Sequence, residues 1–287
     1  MVIHSLQDLK KFNFNTFYKT YIIAEIGINH GGSLKNALEI VKSASKTGCD
    51  AVKFQTYKSE KRAPKKKFPE LYNIINSCEL SFSDFEKIKL YCDDLGIEFI
   101  STPFDEESID FLNSIGMKIF KISSFDLVNL KLIRKIASLG KTNIISTGMG
   151  LKDEIDNACK VLSSNSSCKN ALLYCVSSYP TNHKDSNLIT ISYLKQKYKD
   201  FIIGLSDHTA DIKVPSYGVV LGAQIIEKHY RINEEMECVD ESVSITEKQM
   251  KTLVSDIRFI EEALGKEKND LVASEKDAIK YRRKDIL

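Results

Sequence analysis

The chain has 287 residues, 43% of them hydrophobic and 28% charged, the balance of a globular protein with a sizeable core. Its 41 basic and 39 acidic residues leave a formal net charge of +2, without the strong basic excess that nucleic acid or a membrane surface would call for. The length exceeds an ordinary domain but suits an α/β barrel.

The seven cysteines are odd in number and none is paired at C-x-x-C spacing, which fits a reducing compartment better than a disulfide framework or zinc knuckle. The N-terminal stretch MVIHSLQDLKKFNFNTFYKT lacks the continuous apolar core of a signal peptide, and no run approaches membrane-spanning length. A cytoplasmic location is the expectation.

In chain order, short β-branched or aromatic runs at 21–25, 51–55, 97–101, 118–122, 142–146, 171–175, 201–204 and 224–228 read as strands. Between and after them, helix-like segments cover 34–47, 84–95, 106–114, 128–138, 152–162, 187–198, 213–221 and 246–264; the last carries Met250, Leu253, Ile257, Ile260 and Leu264 at helical spacing. Eight strands alternating with eight helices are the sequence form of a (β/α)₈ TIM barrel, with a doubly wound open sheet as the rival. The expected domains are an N-terminal extension capping the barrel (1–20), the catalytic barrel (21–265) and a tail or linker start (266–287). The connection at 57–82 breaks the short-loop rule. It holds the basic stretch KSEKRAPKKKFPELY and then Ser83 as a candidate helix cap, and reads either as a substrate loop or lid, or as a solvated insertion.

A barrel gathers the residues at the C-terminal ends of its strands onto one face. Those residues are Glu25, Asn29 and His30 after strand one, Lys53 and Gln55 on strand two, and Ser101 and Thr102 on strand three. Strand four contributes Lys121, Ser123, Ser124 and Asp126; strand five Ser146 and Thr147; strand six Ser177, Ser178 and Tyr179. Ser206, Asp207 and His208 follow on strand seven, and His229 ends strand eight. Two lysines among hydroxyls suit phosphate or carboxylate, the ammonium giving charge and the hydroxyls direction. The bland alternative makes Lys53 and Lys121 ion-pair partners of inward acids such as Glu25, and a Schiff-base lysine is a further possibility. His208 and His229, on adjacent strands about 4.8 Å apart, could share one divalent ion.

The segments AEIGINHGG (24–32), AVKFQTYKSE (51–60), GIEFISTPFDEES (96–108), FKISSFDLVNL (120–130), STGM (146–149), CVSSYPT (175–181), GLSDHT (204–209) and EKHY (227–230) resemble, in order, those of the sialic acid synthase family. The resemblance implies a barrel that condenses phosphoenolpyruvate with an N-acetylated amino-sugar aldehyde to give a nonulosonic acid, beside a divalent ion, most often Mn²⁺ with Mg²⁺ or Co²⁺ as alternatives, in a homodimer. It implies that Lys53, Thr102, Lys121, Ser124, Ser146 and Ser206 hold phosphoenolpyruvate, with Ser177 at the same strand ends, and that His208 and His229 hold the metal. Glu25, Gln55, Tyr179 and Asp240 would face the sugar, and Asp126 and Glu25 are the candidate catalytic carboxylates.

The chain also departs from the family pattern. Where the family reads K-I-x-S-G-E, residues 121–126 read Lys-Ile-Ser-Ser-Phe-Asp, so Phe125 replaces glycine and Asp126 a longer acid. The stretch from Cys238 to Ser244 is nearer to pseudaminic acid synthases, which leaves the sugar open. The family's C-terminal antifreeze-like domain has no counterpart before the sequence ends at IKYRRKDIL, which resembles the start of the linker to it. Two competing readings are a non-catalytic barrel that binds a sugar or anion, and a phosphoenolpyruvate aldol synthase acting on another aldehyde.

Overall fold

Alternation along each strand decides what the barrel holds inside. Tyr21, Ile23, Ala51, Ile100, Ile119, Ile144, Ala171, Leu173, Ile202 and Ile225 form one buried cluster, the barrel's interior filling. Their strand neighbours Ile22, Ala24, Val52, Phe54, Phe99, Phe120, Ile145, Leu172, Ile203 and Ile226 belong to a second, larger cluster shared with the helices. Gly204 stands where a Cβ would meet the Ile225 carbonyl and a Leu173 methyl at 2.5 Å each, so the interior closes there only with glycine.

The structure, a computed structural model, describes residues 19–164, 169–266 and 270–283. Eight parallel strands, β1 (Tyr21–Gly27), β2 (Ala51–Thr56), β3 (Glu98–Pro103), β4 (Ile119–Ile122), β5 (Thr142–Ser146), β6 (Asn170–Cys175), β7 (Phe201–Asp207) and β8 (Ile225–His229), close into a barrel, β1 pairing with β8. The helices are α1 (Leu34–Ala44), α2 (Ser59–Arg62), α3 (Pro69–Ser77), α4 (Phe82–Leu95), α5 (Glu106–Ser114), α6 (Leu130–Ser138), α7 (Lys152–Ser163), α8 (Ile189–Lys197), α9 (Lys213–Val220) and α10 (Glu247–Leu264). The expected (β/α)₈ barrel is the observed fold. No helix among the described residues is long and apolar enough to cross a membrane.

Three details differ from expectation. The connection after β2 carries two helices, α2 and α3, beneath which Ile28, Tyr57, Ala63, Ile75 and Cys78 make a small apolar cluster. Ser81 caps α4, not Ser83: its hydroxyl accepts from the Asp84 amide while the Asp84 carboxylate accepts from the Ser81 amide, a reciprocal capping box that starts the helix earlier. The expected N-terminal cap at 1–20 falls, but for its last two residues, outside the described residues; of the expected tail, residues 273–281 form a 3₁₀ helix.

Candidate active site

The parity that places apolar side chains in the interior also selects the polar layer above them. Two residues beyond Ile23 stands Glu25; beyond Ala51, Lys53 and then Gln55; beyond Ile100, Thr102; beyond Ile119, Lys121; beyond Ile144, Ser146; beyond Leu173, Cys175; beyond Ile225, Glu227 and then His229. The register aligns His229 with Glu25, Glu25 with Lys53, Gln55 with Thr102, Cys175 with Ser206, and Ser206 with Glu227. A cleft of about 280 Å³ opens over this layer at the C-terminal ends of the strands.

The floor of the cleft is a buried charge network. Lys53 Nζ lies 2.8 Å from Glu25 and 3.8 Å from Glu227, and donates to Thr102 Oγ1 at 3.3 Å. Lys121 Nζ donates to Ser146 Oγ at 2.6 Å and lies 3.6 Å from Glu227, whose carboxylate accepts from Ser206 Oγ at 3.0 Å. Both lysines are thus ion-paired with inward acids, as the bland reading required, and both also line the cleft. Burial and the neighbouring Glu227 push the Glu25 carboxyl up to about 7, against the pull of Lys53. Burial acts on Glu227 in the same direction, but Lys121 and Lys53 outweigh it and hold that carboxyl below its ordinary value. Burial lowers Lys121, whereas for Lys53 the two glutamates overcome burial and raise it.

Ser124 begins a 3₁₀ turn (Ser124–Asp126) and its hydroxyl accepts from the Gly148 amide at 3.0 Å. A Cβ at Gly148 would lie 2.2 Å from Ser177 Oγ and 2.8 Å from Ser124 Oγ, which is the steric reason for glycine in the STGM segment.

On the wall formed by β7 and β8, the rings of His208 and His229 have centroids 5.4 Å apart, and Tyr179 packs on His208 at 4.1 Å. His208 Nδ1 lies 2.8 Å from the Val176 carbonyl, to which it donates, and against burial Cys175 Sγ and this carbonyl raise the imidazole above its ordinary value. Burial and the charge of His208 depress His229 far below the imidazole range, so its ring is neutral; its Nδ1 is 3.4 Å from Asp240 and has no hydrogen-bond partner among the described residues. Asp207, next to His208, points the other way and ion-pairs at 2.7 Å with the fully buried Lys228 Nζ, which also donates to the Thr209 carbonyl; this pair ties β7 to β8 outside the cleft.

Of the expected site residues, Glu25, Lys53, Gln55, Thr102, Lys121, Ser124, Ser146, Tyr179, Ser206, His208, His229 and Asp240 line one cleft. Two do not. Asp126 accepts from Ser123 Oγ at 2.8 Å and from Asn129 Nδ2 at 3.3 Å, so its carboxylate braces the loop after β4, and Phe125 takes the cleft-lining position. Ser177 lies behind Gly148, its hydroxyl buried without a partner among the described residues. Sequence reading passed over Glu227, which the period-2 alternation through Ile225 and His229 marks as inward, and Arg62, which nothing local marks. Of the 57–82 connection, Arg62, Leu71, Ile74 and Ile75 line the cleft.

The model of the NeuB family matches residues 40–269. An uncharacterized protein of Methanocaldococcus jannaschii is 42% identical over 93% of this chain and 79% of its own length. The N,N'-diacetyllegionaminic acid synthase of Campylobacter jejuni is 36% identical over 94% of this chain and 84% of its own. The crystal structure of an N-acetylneuraminic acid (sialic acid) synthetase from Leptospira borgpetersenii in complex with citrate superposes with a TM-score of 0.89 at 36% identity, covering 95% of this chain and 96% of that one. On this evidence the chain belongs to the NeuB family and is a transferase of the sialic acid synthase type.

Proposed function

We propose that the cleft condenses phosphoenolpyruvate with the open-chain aldehyde of an N-acetylated amino sugar, giving a nonulosonic acid and inorganic phosphate. The observation that carries the reading is the layer of Lys53, Lys121, Thr102, Ser146 and Ser206 lining the cleft, two ammonium groups and three hydroxyls that share the floor with Glu25 and Glu227. Such a floor suits a small, multiply charged phosphate–carboxylate ester.

In this chemistry C3 of phosphoenolpyruvate attacks the aldehyde carbon, forming the carbon–carbon bond, and the aldehyde oxygen takes up a proton. Water adds at C2, and the bond from C2 to the bridging oxygen breaks as phosphate leaves. Lys53 and Lys121 hold the anion and keep their positive charge next to the leaving phosphate. Glu25, with a carboxyl near neutrality, can hold or release a proton beside the acceptor, aided by Gln55, whose Nε2 donates to it at 3.3 Å. Tyr179 and Asp240 close the acceptor side.

The donor set fits a divalent ion in part. Two imidazoles face each other, one oriented by the Val176 carbonyl and the other buried and neutral, next to Asp240. Among the described residues no three His, Cys, Asp or Glu side chains are grouped to hold a metal; His208 and His229, with ring centroids 5.4 Å apart, would be its protein ligands. When bound, an ion such as Mn²⁺ supplies polarisation of the aldehyde. Six free cysteines among the described residues suit a reducing, cytoplasmic setting for such an enzyme.

The test is phosphate release from phosphoenolpyruvate across a panel of N-acetylated amino sugars, with and without Mn²⁺. Release that needs both an acceptor and the ion supports the reading; a chain that binds both ligands without turnover is the non-catalytic barrel instead.

A further inference from the structure

We propose that Asn29 is a positioning residue for the reaction: with Ser244 it holds the loop after β8 so that the Asp240 carboxylate stands beside Glu25 and Gln55. The inference rests on the synthase reading above. Asn29 lies in the turn after β1, where its backbone N–H donates to the Ile26 carbonyl at 2.9 Å, and it is 2% exposed. Its side chain reaches three groups more than 200 residues further along the chain. Nδ2 donates to the Tyr230 carbonyl at 3.0 Å and to Ser244 Oγ at 2.9 Å, while Oδ1 accepts from the Asp240 backbone N–H at 2.9 Å. Ser244 Oγ in turn donates to the Asp240 carbonyl at 2.7 Å. A backbone N–H only donates and a carbonyl only accepts, so this set of partners fixes both the orientation of the Asn29 amide and the direction of the Ser244 hydroxyl.

Asp240 needs such a hold. Between β8 and α10 regular structure is limited to a 3₁₀ turn (Glu241–Val243), and Asp240 is the residue that leads into it. Asn29 ties that residue to the barrel through its backbone and leaves the carboxylate free to face the cleft. A Cβ at Gly27, whose φ is +56°, would lie 3.3 Å from Asp240 Oδ2, 3.3 Å from Glu25 Oε1 and 3.4 Å from Gln55 Nε2. Three polar groups from β1, β2 and the loop after β8 thus converge over one glycine. All three line the cleft, whereas neither Asn29 nor Ser244 is among the described residues that do. Asn29 therefore acts on the reaction through Asp240, without touching substrate.

The test is a double-mutant cycle between Asn29 and Asp240 in the full chain, read by phosphate release with the N-acetylated amino sugar that supports turnover, and by hydrogen exchange of the peptide 238–244 in the same samples. Asn29→Ala should lower kcat/KM for the acceptor by about 10- to 100-fold, the scale of misplacing a group by about 1 Å. The KM for phosphoenolpyruvate should stay within about twofold, because that ligand sits on the lysines. Ser244→Ala should lower kcat/KM for the acceptor to a smaller degree, and Ser244→Thr, which keeps the hydroxyl, should restore it. In an Asp240→Ala background, Asn29→Ala should cost less than about threefold, because the group it positions is gone. Exchange of the 238–244 peptide should quicken in Asn29→Ala while the strand peptides stay protected. A full further loss on top of Asp240→Ala, a KM for phosphoenolpyruvate that rises in step, or unchanged exchange at 238–244 overturns the inference. If Asn29→Ala does not fold, Ser244→Ala is carried through the same cycle with the same outcomes. A wild type that releases no phosphate with any N-acetylated sugar overturns the synthase reading itself, and the exchange measurement then still decides whether Asn29 holds the loop.

Discussion

Glu25 and Lys53 face each other in register on β1 and β2 and pair at 2.8 Å, both side chains more than nine-tenths buried. Glu227 stands between this pair and Lys121, so the floor of the cleft carries two ammonium groups against two carboxyls before any ligand binds. A second carboxyl within reach of the first raises its pKa, and burial adds to the effect.

The Glu25 carboxyl therefore titrates near neutrality, and the sign of its effect on stability follows. Its pKa rises from 4.5 to about 7 on folding, so between those values the folded chain keeps a proton that the unfolded chain has lost. Stability contributed by this group is full below about pH 4.5 and falls as pH rises toward 7. Glu25→Gln removes the titration. The melting temperature of Glu25→Gln minus that of wild type should grow more positive from pH 5 to pH 8, as measured by calorimetry; a difference that does not vary with pH contradicts the raised carboxyl.

Lys53→Met and Lys121→Met should each weaken phosphoenolpyruvate binding by ~1.5–3 kcal/mol, the scale of hydrogen bonds to charged groups. Each should also destabilise the fold, by up to about 3–5 kcal/mol, because a buried carboxylate loses its partner. Titration calorimetry on the folded variants separates the two effects. Lowered melting with unchanged binding would make the lysines purely structural.

Eight strands and most of the cleft were legible in the sequence because both follow from one rule. Period-2 alternation in a closed barrel puts every second residue inside, and the last inward positions of each strand are polar. The same rule shows Glu227 inward, between Ile225 and His229, yet its chemistry is an ion pair and draws no notice in a run such as QIIEKH. Arg62 is different in kind. Its place depends on how α2 packs its guanidinium over Phe104, on a segment far along the chain, as well as over the nearby Tyr57, and no local pattern encodes the longer contact. Asp126 holds the motif position that the resemblance makes catalytic, and Ser123 and Asn129, three residues to either side, hydrogen-bond its shorter carboxylate.

Asp126→Asn should accordingly keep turnover within a few-fold of wild type, and Asp126→Ala should cost about 1 kcal/mol of stability through its lost loop hydrogen bonds. A drop of about 100-fold in Asp126→Asn, the cost of misplacing a reacting group by about 1 Å, would return the residue to the catalytic set. Turnover and melting of the same samples distinguish the outcomes.

His208→Ala and His229→Ala should each abolish turnover and lower Mn²⁺ occupancy, measured by equilibrium dialysis, while circular dichroism keeps the barrel signal. Either variant binding Mn²⁺ as wild type does would remove these histidines as ligands. Full activity of EDTA-treated wild type would remove the ion from the mechanism.

The central claim, condensation with loss of phosphate from C2, is tested most directly with phosphoenolpyruvate carrying ¹⁸O at the bridging position. The enzyme, Mn²⁺ and an N-acetylated amino sugar are supplied, and the inorganic phosphate is read by mass spectrometry. The account predicts that the label leaves with phosphate, because the carbon–oxygen bond breaks. Label retained in the sugar acid, or no phosphate released with any acceptor, contradicts it.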